Sequence, residues 1–222
     1  MDDPDLEEEE HLAALEGLSR LNRLSRSARL FWRPLAGLAQ RLGHRTLRVL
    51  DVASGAGDIP LTLWRRARRS GLELEIHGVD FSPRAVEWAR RNAWQAGAPL
   101  QFHTLNVLED EFPSSYDALI SSLFLHHLSD GQVVTVLHKM AQAARHLVLI
   151  HDLRRSPDAV WLAWGASRLF TRSHVVAVDA PRSVRAAFTR EELEALANAA
   201  GLLGAAVTRR WPYRLLLSWE RP

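Results

Sequence analysis

The sequence predicts an α/β fold in which helices cover both faces of a mostly parallel sheet. Two observations support this prediction. Short apolar runs alternate along the chain with helical patterns of about 10 to 15 residues, and the first apolar run opens into a glycine loop. The 222 residues, of which 47% are hydrophobic, suit one such domain. Strands that alternate with helices require right-handed crossovers, which produce parallel pairing.

The chain begins with an acidic tip and a helical arm, which together span residues 1–45. Seven of the first ten residues are acidic. Leucines then recur at helical spacing, at Leu12, Leu15, Leu18, Leu21 and Leu24. Pro34 is expected to start or kink a second helix. We therefore expect residues 1–45 to be an arm outside the core, which would occupy residues 46–222.

The core elements follow one another in a regular order. The strand LRVLDV precedes the loop ASGAGD and a helix that stops at Gly71, and the strand LEIHGVD precedes a helix that Ser82 and Pro83 cap and Gly97 ends. The strands LQFHTLNV and YDALISSLFL, a helix over 130–145 and the strand HLVLIHDL complete the alternation. These five strands form the parallel part of the predicted sheet.

The last third of the chain departs from this alternation. Residues 154–188 form a long connection, in which an amphipathic stretch with Trp161 and Trp164 precedes a polar run, and connections of that length usually have a function. Thr189 and Glu192 have the spacing of a capping box, so a helix is expected to begin there and to end at Gly201. The runs GAAVTRR and YRLLLSWE lie too close together for a helical crossover, which predicts an antiparallel pair.

The glycine loop and the acidic residues near it indicate a nucleoside cofactor. Asp51 ends the first strand, Gly55 and Gly57 follow at the start of a helix, and Asp80 ends the second strand. Glycines let a ligand approach the backbone at a helix N-terminus. Asp80 lies 23 residues after Gly57, which is about the spacing at which an acidic residue reaches ribose hydroxyls. A dinucleotide motif needs a third glycine, but Pro60 stands at that position, which argues against NAD.

Four segments together resemble the class I S-adenosylmethionine-dependent methyltransferases: VLDVASGAGD, GVDFSPRAVEWARRNA, LNVLEDEFP and YDALISSLFLHHLSD. The resemblance covers residues 46–152. It implies a Rossmann-like sheet of seven strands whose last strand is antiparallel, and S-adenosylmethionine as the cofactor. The segment after the fifth strand also resembles the lid of small-molecule methyltransferases of quinone biosynthesis and polyketide tailoring.

The resemblance implies roles for individual residues. Asp51 and the loop of Ala53, Gly55 and Gly57 would hold the amino-acid end of the cofactor, and Asp80 would hold the ribose. Phe81, Asn106 and Val107 would contact the adenine ring, although packing in the core is an equal alternative for Phe81. Ala53 replaces the first glycine of the family's motif and Asn106 replaces its common aspartate, and neither change abolishes binding on physical grounds.

Candidate catalytic residues follow the fourth and fifth strands. His126 and His127 come after the fourth strand and Asp152 after the fifth, so all three are expected at the carboxyl edge of the sheet. Several natural-product O-methyltransferases of the family use a histidine and an acid at these places, and His127 with Asp152 matches that pattern best. His126 is the alternative, and either histidine can instead cap a helix or pack. No carboxylate-rich cluster is apparent, so no metal is expected.

The expected function is O-methylation of a phenolic or quinol-like secondary metabolite. C-methylation of a related substrate, an RNA or protein methyltransferase, and a cofactor-binding partner subunit without catalysis remain alternatives. The RNA or protein class often has an Asn-Pro-Pro-aromatic motif after the fourth strand, where this chain has SSLFLHH. Aromatic and basic residues outside the alternating pattern either line an acceptor pocket or serve packing and solvation: Trp32, Trp161, Trp164, Arg154, Arg155, Arg172 and Arg185.

Composition limits the partners and the location. The chain has no cysteine, no apolar stretch of the roughly 18 residues that span a membrane, and an acidic start where a signal peptide would be basic, so a cytoplasmic location without a membrane partner is expected. Lys139 is the only lysine among 28 cationic residues, and the arginines are scattered. Nucleic acid is therefore not the expected partner. The oligomeric state is left open.

Overall fold

A computed structural model describes residues 27–43, 46–113, 115–158 and 183–222. Its helices and strands alternate in the predicted order. They are α1 Ser27–Leu42, β1 Thr46–Val52, α2 Asp58–Ser70, β2 Glu73–Asp80, α3 Pro83–Gln95, β3 Gln101–Thr104, β4 Tyr116–Ser122, α4 Asp130–Ala143, β5 Ala144–Leu153, α5 Arg190–Ala199, β6 Ala206–Arg210 and β7 Arg214–Glu220. None of the helices in these four ranges is long and apolar enough to cross a membrane.

The strands form one sheet of seven in the order β3-β2-β1-β4-β5-β7-β6. Strands β1 to β5 pair in parallel, and β7 runs antiparallel to both β5 and β6. The predicted Rossmann-like sheet with a reversed last strand is therefore confirmed. The carboxyl ends of β1 to β5 meet along one side of the sheet, which we call the carboxyl edge. The β6–β7 turn lies at the same edge, because Leu153 at the end of β5 pairs with Arg214.

Each face of the sheet has its own apolar core. Helices α1, α2 and α3 cover one face, which we call the α1 face, and pack on side chains that include Val49, Ile120 and Leu149. Helices α4 and α5 cover the opposite α4 face and pack on side chains that include Leu119 and Ile150. Both cores use alternate residues of the same strands, because successive side chains of a strand point to opposite faces. The position of a residue in its strand therefore determines which face its side chain points to, including at the carboxyl edge.

Helix α1 belongs to the core, although the sequence indicated an arm. Phe31, Leu35 and Leu38 are buried against α2 and the sheet. Pro34 lies inside this helix and does not start a new one. An internal proline costs about 3 kcal/mol, and burial of the large side chains on either side of it offsets that cost. The leucine repeat of the acidic tip and arm lies outside the described residues.

Several element ends differ from the predicted ones. Strand β3 stops at Thr104, although Leu105 still donates its backbone N–H to the carbonyl of Asp80, and a turn follows over residues 107–109. Helix α4 ends at Ala143 and β5 follows at once. The predicted start of α5 is confirmed, since Thr189 and Glu192 form the expected capping box.

Candidate active site

The glycine loop bends sharply between β1 and α2. Ala53, Gly55 and Gly57 have φ angles of 57°, 52° and 75°, all in the left-handed region. Alanine tolerates this region at a cost of about 1 to 2 kcal/mol, so the departure from glycine at position 53 is compatible with the turn. Gly57 has a second constraint, because a Cβ atom there would lie 2.7 Å from Cζ of Phe102. The loop thus reaches its shape with one alanine, but position 57 has no room for a side chain.

Asp80 ties the loop to the end of β2. One carboxylate oxygen accepts a hydrogen bond from the backbone N–H of Gly55 at 2.8 Å, and the other accepts from Ser82 at 3.0 Å. A carboxylate has about four lone-pair sites, so it can also accept hydrogen bonds from ligand hydroxyls. Asp80 therefore holds the loop in position and presents acceptors beside it.

Asp51 is a buried carboxylate with a free oxygen. Its exposed fraction is 2%, and its Oδ1 has no hydrogen-bond partner. Burial, with a further contribution from the charge of Asp80, raises the pKa of Asp51 well above the ordinary value. Ser54 next to it also has a buried hydroxyl without a partner. A cationic group that donates hydrogen bonds would satisfy both side chains, as the amino-acid end of S-adenosylmethionine would do.

The three residues that were expected to contact adenine follow β2 and β3. Phe81 is 72% exposed, which is unusual for a large aromatic side chain, so packing in the core does not account for it. Val107 is buried. Asn106 organises its own turn, because its Oδ1 accepts from the N–H of Leu108 at 3.1 Å. That oxygen can accept a second hydrogen bond. The described residues thus fit the cofactor that the sequence suggested.

Asp152 and His126 form a buried pair at the carboxyl edge. The Nδ1 atom of His126 lies 2.6 Å from Oδ1 of Asp152, and the backbone N–H of His126 donates to Oδ2 at 3.2 Å. Leu153 donates its N–H to Oδ1 at 2.6 Å. Burial would raise the pKa of Asp152, but the contacts with His126 and the Leu153 N–H outweigh it and lower that pKa below the ordinary value. A carboxylate that accepts from Nδ1–H leaves Nε2 of the histidine as the proton acceptor.

The expected pairing of His127 with Asp152 is wrong by one residue, because His126 pairs with Asp152 instead. After β4 the chain passes through Leu123 at a φ of 57° and a short 3-10 turn, Leu125–His127. This turn directs His126 inward to the carboxylate and leaves His127 exposed, with the two rings 4.2 Å apart between centroids. His126, which the sequence gave as the alternative, is therefore the histidine that Asp152 orients.

The sequence analysis missed His151, which precedes Asp152 in β5. His151 is fully buried on the α1 face, where its ring meets Phe31 edge-on. Its Nδ1 lies 3.3 Å from the hydroxyl of Ser122, and its Nε2 has no partner. Burial, followed by the nearby charge of Arg214, lowers the pKa of His151 to about 4, so the ring is neutral at physiological pH. Strand alternation alone signals that it faces away from Asp152.

The other candidate pocket residues differ in their surroundings, and Arg185 is exposed. Trp32 packs in the core of the α1 face, with the guanidinium of Arg66 5.2 Å from its ring centroid, which favours the packing alternative for this tryptophan. Arg155 forms an ion pair with Glu192. The remaining aromatic candidates and one arginine lie outside the described residues: Trp161, Trp164 and Arg172. Among the described residues no group of three or more histidines and carboxylates is placed to hold a metal ion.

Comparisons with known proteins agree with this geometry. The family model described as a methyltransferase domain matches residues 49–146. The demethylmenaquinone methyltransferase of Deinococcus radiodurans is 31% identical over 141 residues, which are 63% of this chain and 55% of that protein. The chain thus spans about half the length of this curated relative.

Two solved structures share the fold. The apo form of the S-adenosylmethionine-dependent methyltransferase SibL has a TM-score of 0.65 and 22% identity, and the match covers 93% of this chain and 57% of SibL. Magnesium protoporphyrin IX methyltransferase from Synechocystis PCC 6803, with bound SAH, has a TM-score of 0.62 and 15% identity, with coverage of 91% and 87%.

Proposed function

We propose that this chain, which carries a methyltransferase domain over residues 49–146, transfers a methyl group from S-adenosylmethionine to a small-molecule acceptor. The observation that supports this most is the arrangement at the carboxyl edge. A buried carboxylate without a cation, Asp51, lies at the end of β1, and a buried His126–Asp152 pair lies at the ends of β4 and β5. The carboxylate of Asp51 suits a cationic cofactor, and the His126–Asp152 pair suits proton transfer.

The residues of the first three strands would hold the cofactor. Asp51 and Ser54 would accept hydrogen bonds from its ammonium group, Asp80 from its ribose hydroxyls, and Phe81 would stack on its adenine ring. S-adenosylmethionine supplies a methyl group on a sulfonium, which leaves as a neutral thioether. The protein's contribution is to position that methyl group in line with the acceptor atom and to exclude water.

The His126–Asp152 pair favours an acceptor with a hydroxyl group. The hydroxyl oxygen forms a bond to the methyl carbon as the sulfur–carbon bond breaks, and the hydroxyl proton passes to Nε2 of His126. Asp152 orients the imidazole and stabilises the cation that forms. A phenol or quinol is the acceptor class that needs such a base, and the name of the Deinococcus radiodurans relative supports a quinone-related acceptor.

Methylation of a ring carbon is the second candidate function. Removal of a quinol proton by His126 would also activate the ring carbon next to the oxygen, so the same pair supports either product. The name of the relative, which refers to demethylmenaquinone, keeps this alternative open. Carbon-13 NMR of a product labelled in the methyl group distinguishes an O-methyl from a C-methyl product.

The test combines cofactor binding with turnover. Calorimetry with S-adenosylmethionine, S-adenosylhomocysteine and NAD should show micromolar binding of the first two, and binding of NAD alone would refute the assignment. Turnover is then measured with labelled cofactor on reduced 1,4-naphthoquinone and a series of phenols. A complete absence of transfer despite cofactor binding would favour a partner subunit without catalysis.

Two neighbouring variants test the base. H126Q keeps a donor for Asp152 but removes the basic nitrogen, so turnover should fall by about 10² to 10⁴ with cofactor affinity nearly unchanged. H127Q is the matched control one residue away and should stay near the wild-type rate. If H127Q is the damaging change, the histidine assignment is wrong. If neither variant slows transfer tenfold, positioning alone accounts for the rate.

A further inference from the structure

Three buried nitrogen atoms near the ends of β5 and β7 have no hydrogen-bond acceptor. They are Nε2 of His151, Nε of Arg154 and Nε of Arg214. Buried polar atoms are nearly always paired in folded proteins, because an unpaired one loses its hydrogen bond to water without replacement. Three such atoms in one region therefore point to a missing acceptor.

The strand pairing brings two of these side chains together, and the third follows β5 on the adjoining turn. Leu153 pairs with Arg214 and His151 pairs with Leu216, so His151 and Arg214 are diagonal neighbours on the α1 face. The charge of Arg214 acts on His151, which also indicates that the two are close. Arg154 joins them through the next turn, because its N–H donates to the carbonyl of Tyr213 at 2.9 Å and its guanidinium lies 5.4 Å from the Tyr213 ring.

The two arginine cations lack a carboxylate that forms a hydrogen bond with them among the described residues. Asp152 is the carboxylate whose charge acts on Arg214, but its hydrogen bonds go to His126 and Leu153 on the other side of the strand. Within the part of the chain that the structure describes, the hydrogen bonds of Arg214 are long ones to backbone carbonyls, at 3.3 and 3.4 Å. Two guanidinium groups in a partly buried position favour an anion, because charged hydrogen bonds are the strongest that such donors form.

An apolar cluster lies beside the nitrogens. Leu153, Val184 and Ala187 are buried, and the partly buried Leu123 and Tyr213 pack against them. The region thus combines an apolar wall with donors that lack acceptors, at the carboxyl edge where His126 lies. This combination suits a flat aromatic molecule that carries a negatively charged oxygen.

We propose that His151, Arg154 and Arg214 bind a negatively charged oxygen of the methyl acceptor, either a carboxylate or a phenolate, while the apolar cluster holds its ring. This inference rests on the proposed function, which it deepens by naming the charge of the acceptor. It makes these three residues determinants of specificity, whereas His126 and Asp152 act on the proton.

Binding of matched probes to the full chain tests the proposal without turnover. Calorimetry compares 3-hydroxy-2-naphthoate with 3-hydroxy-2-naphthamide, which have similar shapes but differ in charge, and 4-nitrophenolate with 4-nitroanisole at a pH where the phenol is ionised. We expect the anion to bind at least tenfold more tightly in one of the two pairs, and that pair identifies the anion as a carboxylate or a phenolate. Equal binding within both pairs overturns the proposal.

Variants then locate the preference. R154Q and R214Q should each reduce the preference for the anion at least fivefold, and R210Q, on the exposed part of the same hairpin, should leave it unchanged. R154Q keeps the test valid if R214Q does not fold, which its melting curve will show. If the preference for the anion survives both in R154Q and in folded R214Q, the site is refuted. The site is also refuted if R210Q removes that preference. Cofactor binding is measured separately: its absence would refute the proposed function, whereas the absence of an anion preference in the wild-type chain with cofactor binding intact would refute this site alone.

Discussion

Replacement of Asp51 by asparagine separates stability from cofactor binding. Asparagine keeps the shape of the side chain but removes a buried charge whose Oδ1 has no partner. Because the fold raises the pKa of this carboxyl, its ionised form destabilises the protein at neutral pH. Removal of that penalty should stabilise D51N by about 1 to 3 kcal/mol, and a domain of this size gains about 2 to 4 °C in melting temperature per kcal/mol.

The pH dependence gives the sign of the effect. A carboxyl with a raised pKa contributes no penalty below its unfolded pKa of about 4, and the penalty grows as the pH rises through the folded value. The difference in melting temperature between D51N and wild type should therefore be large at pH 7.5 and shrink towards pH 4.5. Scanning calorimetry of both proteins at the two pH values measures it.

Cofactor binding should change in the opposite direction. Loss of a charged hydrogen bond to the cofactor's ammonium group should weaken binding by about 1.5 to 3 kcal/mol, which is about 10- to 150-fold. D117N is the matched control, because Asp117 is also buried but accepts from the Arg48 N–H at 2.8 Å, far from the glycine loop. It should destabilise the fold and leave cofactor affinity unchanged. A D51N protein that melts below wild type at pH 7.5, or binds the cofactor equally well, would refute the reasoning.

Three further outcomes are expected. D80N should weaken the binding of S-adenosylhomocysteine by about 1 to 3 kcal/mol, measured by calorimetry, and an unchanged affinity would exclude a contact between Asp80 and the ribose. Deletion of residues 1–26 should spare cofactor binding and reduce turnover, whereas deletion of residues 1–42 removes α1 and should abolish the cooperative melting transition. Gly57→Ala should lower the melting temperature, because its Cβ would overlap Phe102, while the same change at Gly55, where a Cβ meets no atom within 4 Å, should cost less.

The sequence was sufficient for the sheet and for the places of Asp51 and Asp80 at its carboxyl edge. Apolar runs that end in Asp51 and Asp80 identify β1 and β2, and parallel strands place their carboxyl ends at one edge. Little tertiary information is needed for such residues, because each directly follows a strand. The start of α5 was equally clear, since Thr189 and Glu192 carry the capping signal within four residues.

The position of helix α1 and the pairing of His126 with Asp152 depend on tertiary contacts that sequence periodicity does not reveal. Pro34 is a local signal against a continuous helix, but the burial of its neighbours Phe31 and Leu35 overrides it. His126 and His127 differ by one position after β4, and the left-handed turn at Leu123 decides which of them meets Asp152. A leucine at a positive φ is not signalled by the sequence, so the choice between the two histidines required the structure.

Strand β5 divides the chemistry of the carboxyl edge between its two faces. His151 and Asp152 are consecutive, so their side chains point to opposite sides of the sheet. Asp152 points to the α4 face and fixes the imidazole of His126 there, whereas His151 points to the α1 face beside Arg214. With a proton acceptor and an anion site at the end of one strand, the protein would contact the ring of the acceptor molecule from two sides. The distance between the two sites would be fixed by the strand. Because the two sites share a backbone, a shift of β5 by one residue would exchange their faces, and both functions would be lost together.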